Sequence, residues 1–147
     1  LKSFEAIEHR LESIILHEGV EYINDSKATN VDSTRYALEA VNAPIIWIAG
    51  GTDKGNDYSD LMELVEDKVK ILICLTKDDT KLKLAFSGMV NKLISTEKVE
   101  EAVEYALQNA DSGDTVLLSP ACASFDLFNN YEHRGKAFKK CVLEKTR

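Results

Sequence analysis

Two rhythms of hydrophobic and polar positions alternate along the chain. Short continuous apolar runs at Pro44–Ala49 (PIIWIA), Val69–Leu75 (VKILICL) and Thr115–Leu118 (TVLL) read as strands buried on both faces. Between them, apolar residues recur at helical spacing. Thr34, Ala37, Leu38 and Val41 fall at i, i+3, i+4 and i+7. Tyr58, Leu61, Met62 and Val65 form the next stripe, and Val99, Ala102, Val103, Ala106 and Leu107 a strongly periodic third. A charged helix is expected around Asp79–Phe86, a short strand near Lys92–Ile94 and a C-terminal helix through Lys136–Leu143. At the front, Leu11–Leu16 and Val20–Ile23 flank His17-Glu18-Gly19, which predicts a hairpin. Asn30 or Asp32 stands where it can cap the helix that follows.

Apolar strands alternating with amphipathic helices predict a parallel sheet covered on both sides. The expected fold is α/β and Rossmann-like: a mostly parallel sheet, helices on both faces, and an N-terminal hairpin extension. No repeat, low-complexity stretch or linker interrupts residues 1–147, which read as one domain. In such sheets ligands bind beyond the carboxyl ends of the strands. Three polar segments fall there: NDSKATN (24–30), GGTDKGND (50–57) and SPACASFDLFNNYEHRG (119–135). Their convergence on one rim is the main structural expectation.

Composition narrows the function classes. Hydrophobic residues make up 44% and charged residues 29% of the 147, an ordinary globular balance. The formal net charge of −7 argues against a nucleic-acid partner, which needs clustered positive surface. The apolar runs are too short to span a bilayer, and a cytoplasmic monomer is expected. Cys74, Cys122 and Cys141 show neither CxxC nor metal-ligand spacing, so no metal site is expected and a reducing compartment suits them. Cys74 reads as core. Cys122 could lie near a site, but nothing beside it activates a thiolate. The chain starts at Leu1 without a targeting signature, as a piece of a longer protein would.

The chemistry of the three segments points to anion binding. GGTDKGND lacks the GxxxxGK[ST] spacing of a phosphate loop and lacks GxGxxG, so the chain has no self-sufficient nucleotide motif. Lys54 is either a solvated loop lysine or a contact for a carboxylate or phosphate. Asp25, Lys27 and Thr29 precede a helix start, whose free N–H groups favour an anion; a plain capped helix reads equally well. Ser124 has no His/Asp pairing pattern, which argues against a serine nucleophile. His133 reads as a surface or packing histidine, and Asp126 and Arg134 as scaffold. The sum is a small-anion pocket without a catalytic acid–base pair.

EHRLE (8–12), NDSKATNVDST (24–34), GGTDKG (50–55) and SPACASFDLFNNYEHRG (119–135) together resemble the C-terminal domain of the Mur ligases. Within that family they are most similar to the branch that adds D-glutamate in peptidoglycan synthesis. The resemblance spans nearly the whole chain. It implies a three-domain enzyme whose N-terminal UDP-binding and central ATPase domains lie outside this chain. ATP and Mg2+ would be held mainly by the central domain. The implied reaction phosphorylates the carboxylate of UDP-N-acetylmuramoyl-L-alanine, and the amine of D-glutamate attacks the acyl phosphate. No catalytic residue is implied for this domain, and the isolated fragment is expected to be inactive. By resemblance, Thr29 and Lys54 hold one D-glutamate carboxylate, and Ser124 and Tyr131 receive the other. Arg10, Asp25 and Lys27 face the nucleotide, with Asp25 toward the ribose. The alternatives are a Mur-type ligase with another acceptor amino acid and a non-catalytic small-anion-binding module.

Overall fold

The computed structural model describes residues 7–147. In chain order the elements are β1 (Glu12–His17), β2 (Val20–Asn24), α1 (Val31–Ala40), β3 (Ile45–Ala49), a 3-10 turn (Ser59–Leu61) leading into α2 (Met62–Lys68), β4 (Val69–Leu75), α3 (Thr80–Phe86), β5 (Lys92–Thr96), α4 (Val99–Asn109), β6 (Thr115–Leu118) and α5 (Tyr131–Lys145). The strands form one six-stranded sheet in the order β1-β2-β6-β3-β4-β5. Only the β1–β2 pair is antiparallel; every other pairing is parallel. The hairpin turns through Glu18 (φ 52°) and Gly19 (φ 79°), two left-handed residues of the kind a tight hairpin requires. Its second strand lies inside the sheet beside β6, so the hairpin adds one edge strand, β1, to a parallel core.

The continuous apolar runs are explained by burial on both faces. Ile45, Trp47 and Ala49 of β3, Leu72 and Cys74 of β4 and Leu117 of β6 face α1, α2 and α3. Ile46, Ile48, Ile71, Ile73, Leu75, Val116 and Leu118 point the other way, onto α4 and α5. Each fully buried aliphatic side chain contributes about 1.5–3 kcal/mol, so the two layers fix the register of the strands.

The structure moves some boundaries. Asn30, not Asp32, caps α1: its side chain accepts from Ser33 N at 2.9 Å. Helix α5 begins at Tyr131 rather than Lys136, because Asn130 caps it by accepting from His133 N at 2.8 Å. The segment after β6 is therefore a loop only to Asn130, and Tyr131, His133 and Arg134 sit on the first turn of a helix.

Candidate substrate and nucleotide site

The strand order puts the carboxyl ends of β2, β6 and β3 side by side, and backbone hydrogen bonds stitch their loops together. Asp25 N donates to Leu118 O (2.7 Å), Ala121 N to Ala28 O (3.0 Å), Gly50 N to Pro120 O (3.0 Å) and Thr52 N to Ala123 O (2.8 Å). Thr29 therefore stands next to one stitch, and Ser124 and Lys54 stand within two residues of another. Gly51 makes the last stitch possible. At φ 151° a Cβ there would lie 2.0 Å from Ala123 O. The expected convergence of the three loops on one rim is what the structure has.

Side chains that sequence reasoning treated as scaffold, or passed over, hold that rim in shape. Arg134 is 2% exposed. Its Nε donates to Ser26 Oγ (2.9 Å), one terminal nitrogen to Ser26 O (2.8 Å) and the other to Cys122 O (3.1 Å). One buried guanidinium thus ties the loop after β2 to the loop after β6, with no carboxylate among these contacts. Burial pulls its pKa down to about 10, which leaves it charged at neutral pH. Asp126 fastens the same loop to the end of β4, accepting from Thr76 Oγ1 (2.7 Å) and Lys77 N (3.1 Å). Asp53 organises the glycine loop. Its Oδ1 accepts from Gly55 N, Asn56 N and Lys81 Nζ, and its Oδ2 from the Tyr58 hydroxyl (2.8 Å). Burial pushes the Asp53 carboxyl up, but these donors outweigh it and its pKa falls below the usual range. With Asp53 turned inward, Lys54 is exposed at the loop tip.

A second arrangement surrounds Asp25. This buried carboxylate accepts from Leu11 N (3.0 Å) and Ser119 Oγ (2.8 Å). Burial raises its pKa to about 6, against the opposing pull of Ser119, the Leu11 N–H and Arg10. Arg10, Leu11, Asp25, Lys27 and Tyr36 line one open concavity of about 460 Å³. Arg10 is presented there by a strained turn: its neighbours His9 (φ 67°) and Leu11 (φ 45°) are both left-handed. His9 anchors that turn. It is 3% exposed, its Nδ1 lies 2.9 Å from Asn24 Nδ2, and its carbonyl accepts from Lys27 N (2.9 Å). The His9 ring is also why residue 135 is glycine, since a Cβ there would fall 2.1 Å from His9 Nδ1.

The profile of the family described as "Mur ligase, glutamate ligase domain" matches residues 9–122. The chain belongs to the Mur ligase family. It is 54% identical over 142 residues to the UDP-N-acetylmuramoylalanine--D-glutamate ligase of Christiangramia forsetii, covering 97% of this chain and 32% of that protein. It is 55% identical over 143 residues to the protein of the same name from Porphyromonas gingivalis, with the same coverage. The chain thus spans about a third of the length of these curated relatives. Solved structures share the fold at low identity. The MurF ligase of Thermotoga maritima in complex with ADP superposes with a TM-score of 0.61 at 14% identity, over 97% of this chain and 33% of that one. A pseudomurein peptide ligase type C from Methanothermus fervidus gives 0.62 at 20%, over all of this chain and 30% of that one.

Against the Mur ligase expectation, the structure brings Arg10, Asp25 and Lys27 into one concavity, and Thr29, Lys54 and Ser124 onto one stitched rim. Ser124 is buried at 2% exposure, and its carbonyl accepts from Leu127 N and Phe128 N, a turn that closes the loop. Tyr131, expected beside Ser124, instead contacts the loop after β2. Its carbonyl accepts from Ser26 Oγ (2.7 Å), its hydroxyl from Lys27 Nζ (3.1 Å), and that ammonium also lies 4.8 Å from the centre of its ring. Cys122 lies buried beneath the glycine loop, its Sγ 3.4 Å from the Tyr58 hydroxyl and 3.5 Å from Asn56 Nδ2, and burial pushes its thiol pKa up. Arg134 has the scaffold role expected of it, Asp53 carried no such expectation, and each left a signal in the sequence. The apolar stripe Phe138, Cys141, Val142 of α5, extended back one turn, lands on Arg134. Asp53 two residues before Gly55 has the spacing of an Asx turn.

Proposed function

We propose that this chain is the acceptor-binding domain of an ATP-dependent ligase that adds D-glutamate to UDP-N-acetylmuramoyl-L-alanine. One observation carries the reading: Thr29, Lys54 and Ser124, from three different loops, stand on a rim held by backbone stitches and a buried arginine. A dicarboxylic amino acid needs two donor-rich subsites. Thr29 with Lys54 supplies one, and Ser124 with the start of α5 at Tyr131 the other. Charge-assisted contacts of this kind are each worth about 1.5–3 kcal/mol when desolvated. The names of the relatives support the choice of acceptor.

The concavity beside Asp25 suits a nucleotide. Arg10 and Lys27 offer cationic donors for phosphate, and the Asp25 carboxylate can accept from ribose hydroxyls. ATP, with Mg2+, would phosphorylate the carboxylate of UDP-N-acetylmuramoyl-L-alanine and leave as ADP; this domain's share is to hold the D-glutamate amine in line with the acyl carbon, from which it displaces inorganic phosphate. The UDP-binding and ATPase domains belong to the remainder of the protein, and the isolated domain does not turn over. The enzyme is a cytoplasmic monomer serving peptidoglycan synthesis, and through it cell shape and division.

The test is an acceptor panel on the full-length enzyme. D-Glutamate is expected to be the preferred acceptor over L-alanine, diamino acids and D-alanyl-D-alanine. Preference for another acceptor would assign a different branch of the family. No ligation with any acceptor would leave the non-catalytic binding module.

A further inference from the structure

Tyr36 is 67% exposed although it is one of the largest side chains on α1. It lies off the buried face of that helix, which is made by Thr34, Ala37 and Leu38. With Asp32 and Ser33, one turn earlier, it lines the concavity that also holds Arg10, Asp25 and Lys27. The walls differ in charge. Arg10 and Lys27 bring two cations to one part, where the Asp25 carboxylate is taken up by Leu11 N and Ser119 Oγ, while the α1 part presents a carboxylate, a hydroxyl and an aromatic ring.

That asymmetry orients a nucleotide. Phosphates are repelled by Asp32 and drawn to Arg10 and Lys27. The uncharged nucleoside end is left with the α1 wall, where a flat apolar surface is what a base requires. We propose that Tyr36, with the partly buried Leu11, forms the wall for the nucleotide base, and that Tyr36 is a specificity residue of the nucleotide site. This rests on the reading of the concavity as a nucleotide site.

The experiment uses the full-length enzyme and three probes: ADP and inorganic pyrophosphate by calorimetry, and the KM of each substrate by steady-state assay. Tyr36→Ala is expected to weaken ADP about tenfold, the typical size of a lost base–aromatic stack. Pyrophosphate, which has no base, should bind as it does to the parent enzyme. The KM for ATP should rise while that for D-glutamate holds. Tyr36→Phe should restore most of the loss, because the ring makes the wall. Position 36 is exposed, so the substitutions do not threaten the fold. Unchanged ADP affinity in Tyr36→Ala, alongside weakened binding in Arg10→Ala, overturns the role of Tyr36 and leaves the nucleotide reading standing. Equal losses for ADP and pyrophosphate also overturn it, since the effect would then pass through the shape of the site. If Arg10→Ala binds ADP normally too, the nucleotide reading falls and the proposal with it.

Discussion

At the scale of single residues, two buried charges carry the most. Arg134→Met removes three hydrogen bonds and leaves the Ser26 and Cys122 carbonyls without their donor. The expected cost is about 2–4 kcal/mol by urea denaturation of this chain, because buried acceptors left unpaired keep their full desolvation penalty. Asp25 acts with the opposite sign. Its pKa in the fold is about 6, above the value of about 3.9 of a free aspartate. A raised carboxyl pKa adds stability at low pH that is lost as the group ionises. The parent chain should therefore lose on the order of 1–3 kcal/mol relative to Asp25→Asn between pH 4 and pH 7, read as the difference between their denaturation midpoints. The α5 stripe points Arg134 inward, but the partners of neither charge could be read from the sequence. A charged residue is exposed by default, and only the positions of Ser26, Cys122, Leu11 and Ser119 in space make these two exceptions.

At the scale of elements, the strands and helices were legible because each obeys a single period. β3, β4 and β6 are apolar apart from Lys70 and Thr115, since α1, α2 and α3 cover one face and α4 and α5 the other. What was not legible was the start of α5. Tyr131, Glu132 and His133 carry no apolar stripe, so only the Asn130 cap marks where the helix begins. The contact that seats this helix against the N-terminal turn was equally hidden, as it depends on a missing Cβ. Gly135→Ala drives a methyl into the ring of His9, the residue whose carbonyl accepts from Lys27 N. Overpacking at such a site is expected to lower stability by about 1–3 kcal/mol in thermal or urea unfolding. It should also weaken nucleotide binding in the full-length enzyme, because His9 sets the turn that presents Arg10.

At the scale of the whole molecule, a chain of net charge −7 can hold the proposed anion site because donors are concentrated on one rim. Charges elsewhere are screened beyond a Debye length of about 8–10 Å. The sheet order makes that concentration possible by setting the ends of β2, β6 and β3 together, three strands far apart in sequence. The local patterns predicted the strands and the loops, but the adjacency is a property of topology. The domain is expected to fold alone, with two apolar layers packed on one sheet, and to show no ligase turnover when assayed by itself. In the proposed site Lys54 grips the acceptor and has no part in binding the UDP-linked substrate. Steady-state kinetics of Lys54→Ala in the full-length enzyme test it most directly. The KM for D-glutamate is expected to rise at least tenfold, the loss of about 1.5 kcal/mol or more for one charge-assisted contact, with the KM for UDP-N-acetylmuramoyl-L-alanine within about twofold of the parent. An unchanged KM for D-glutamate would contradict it.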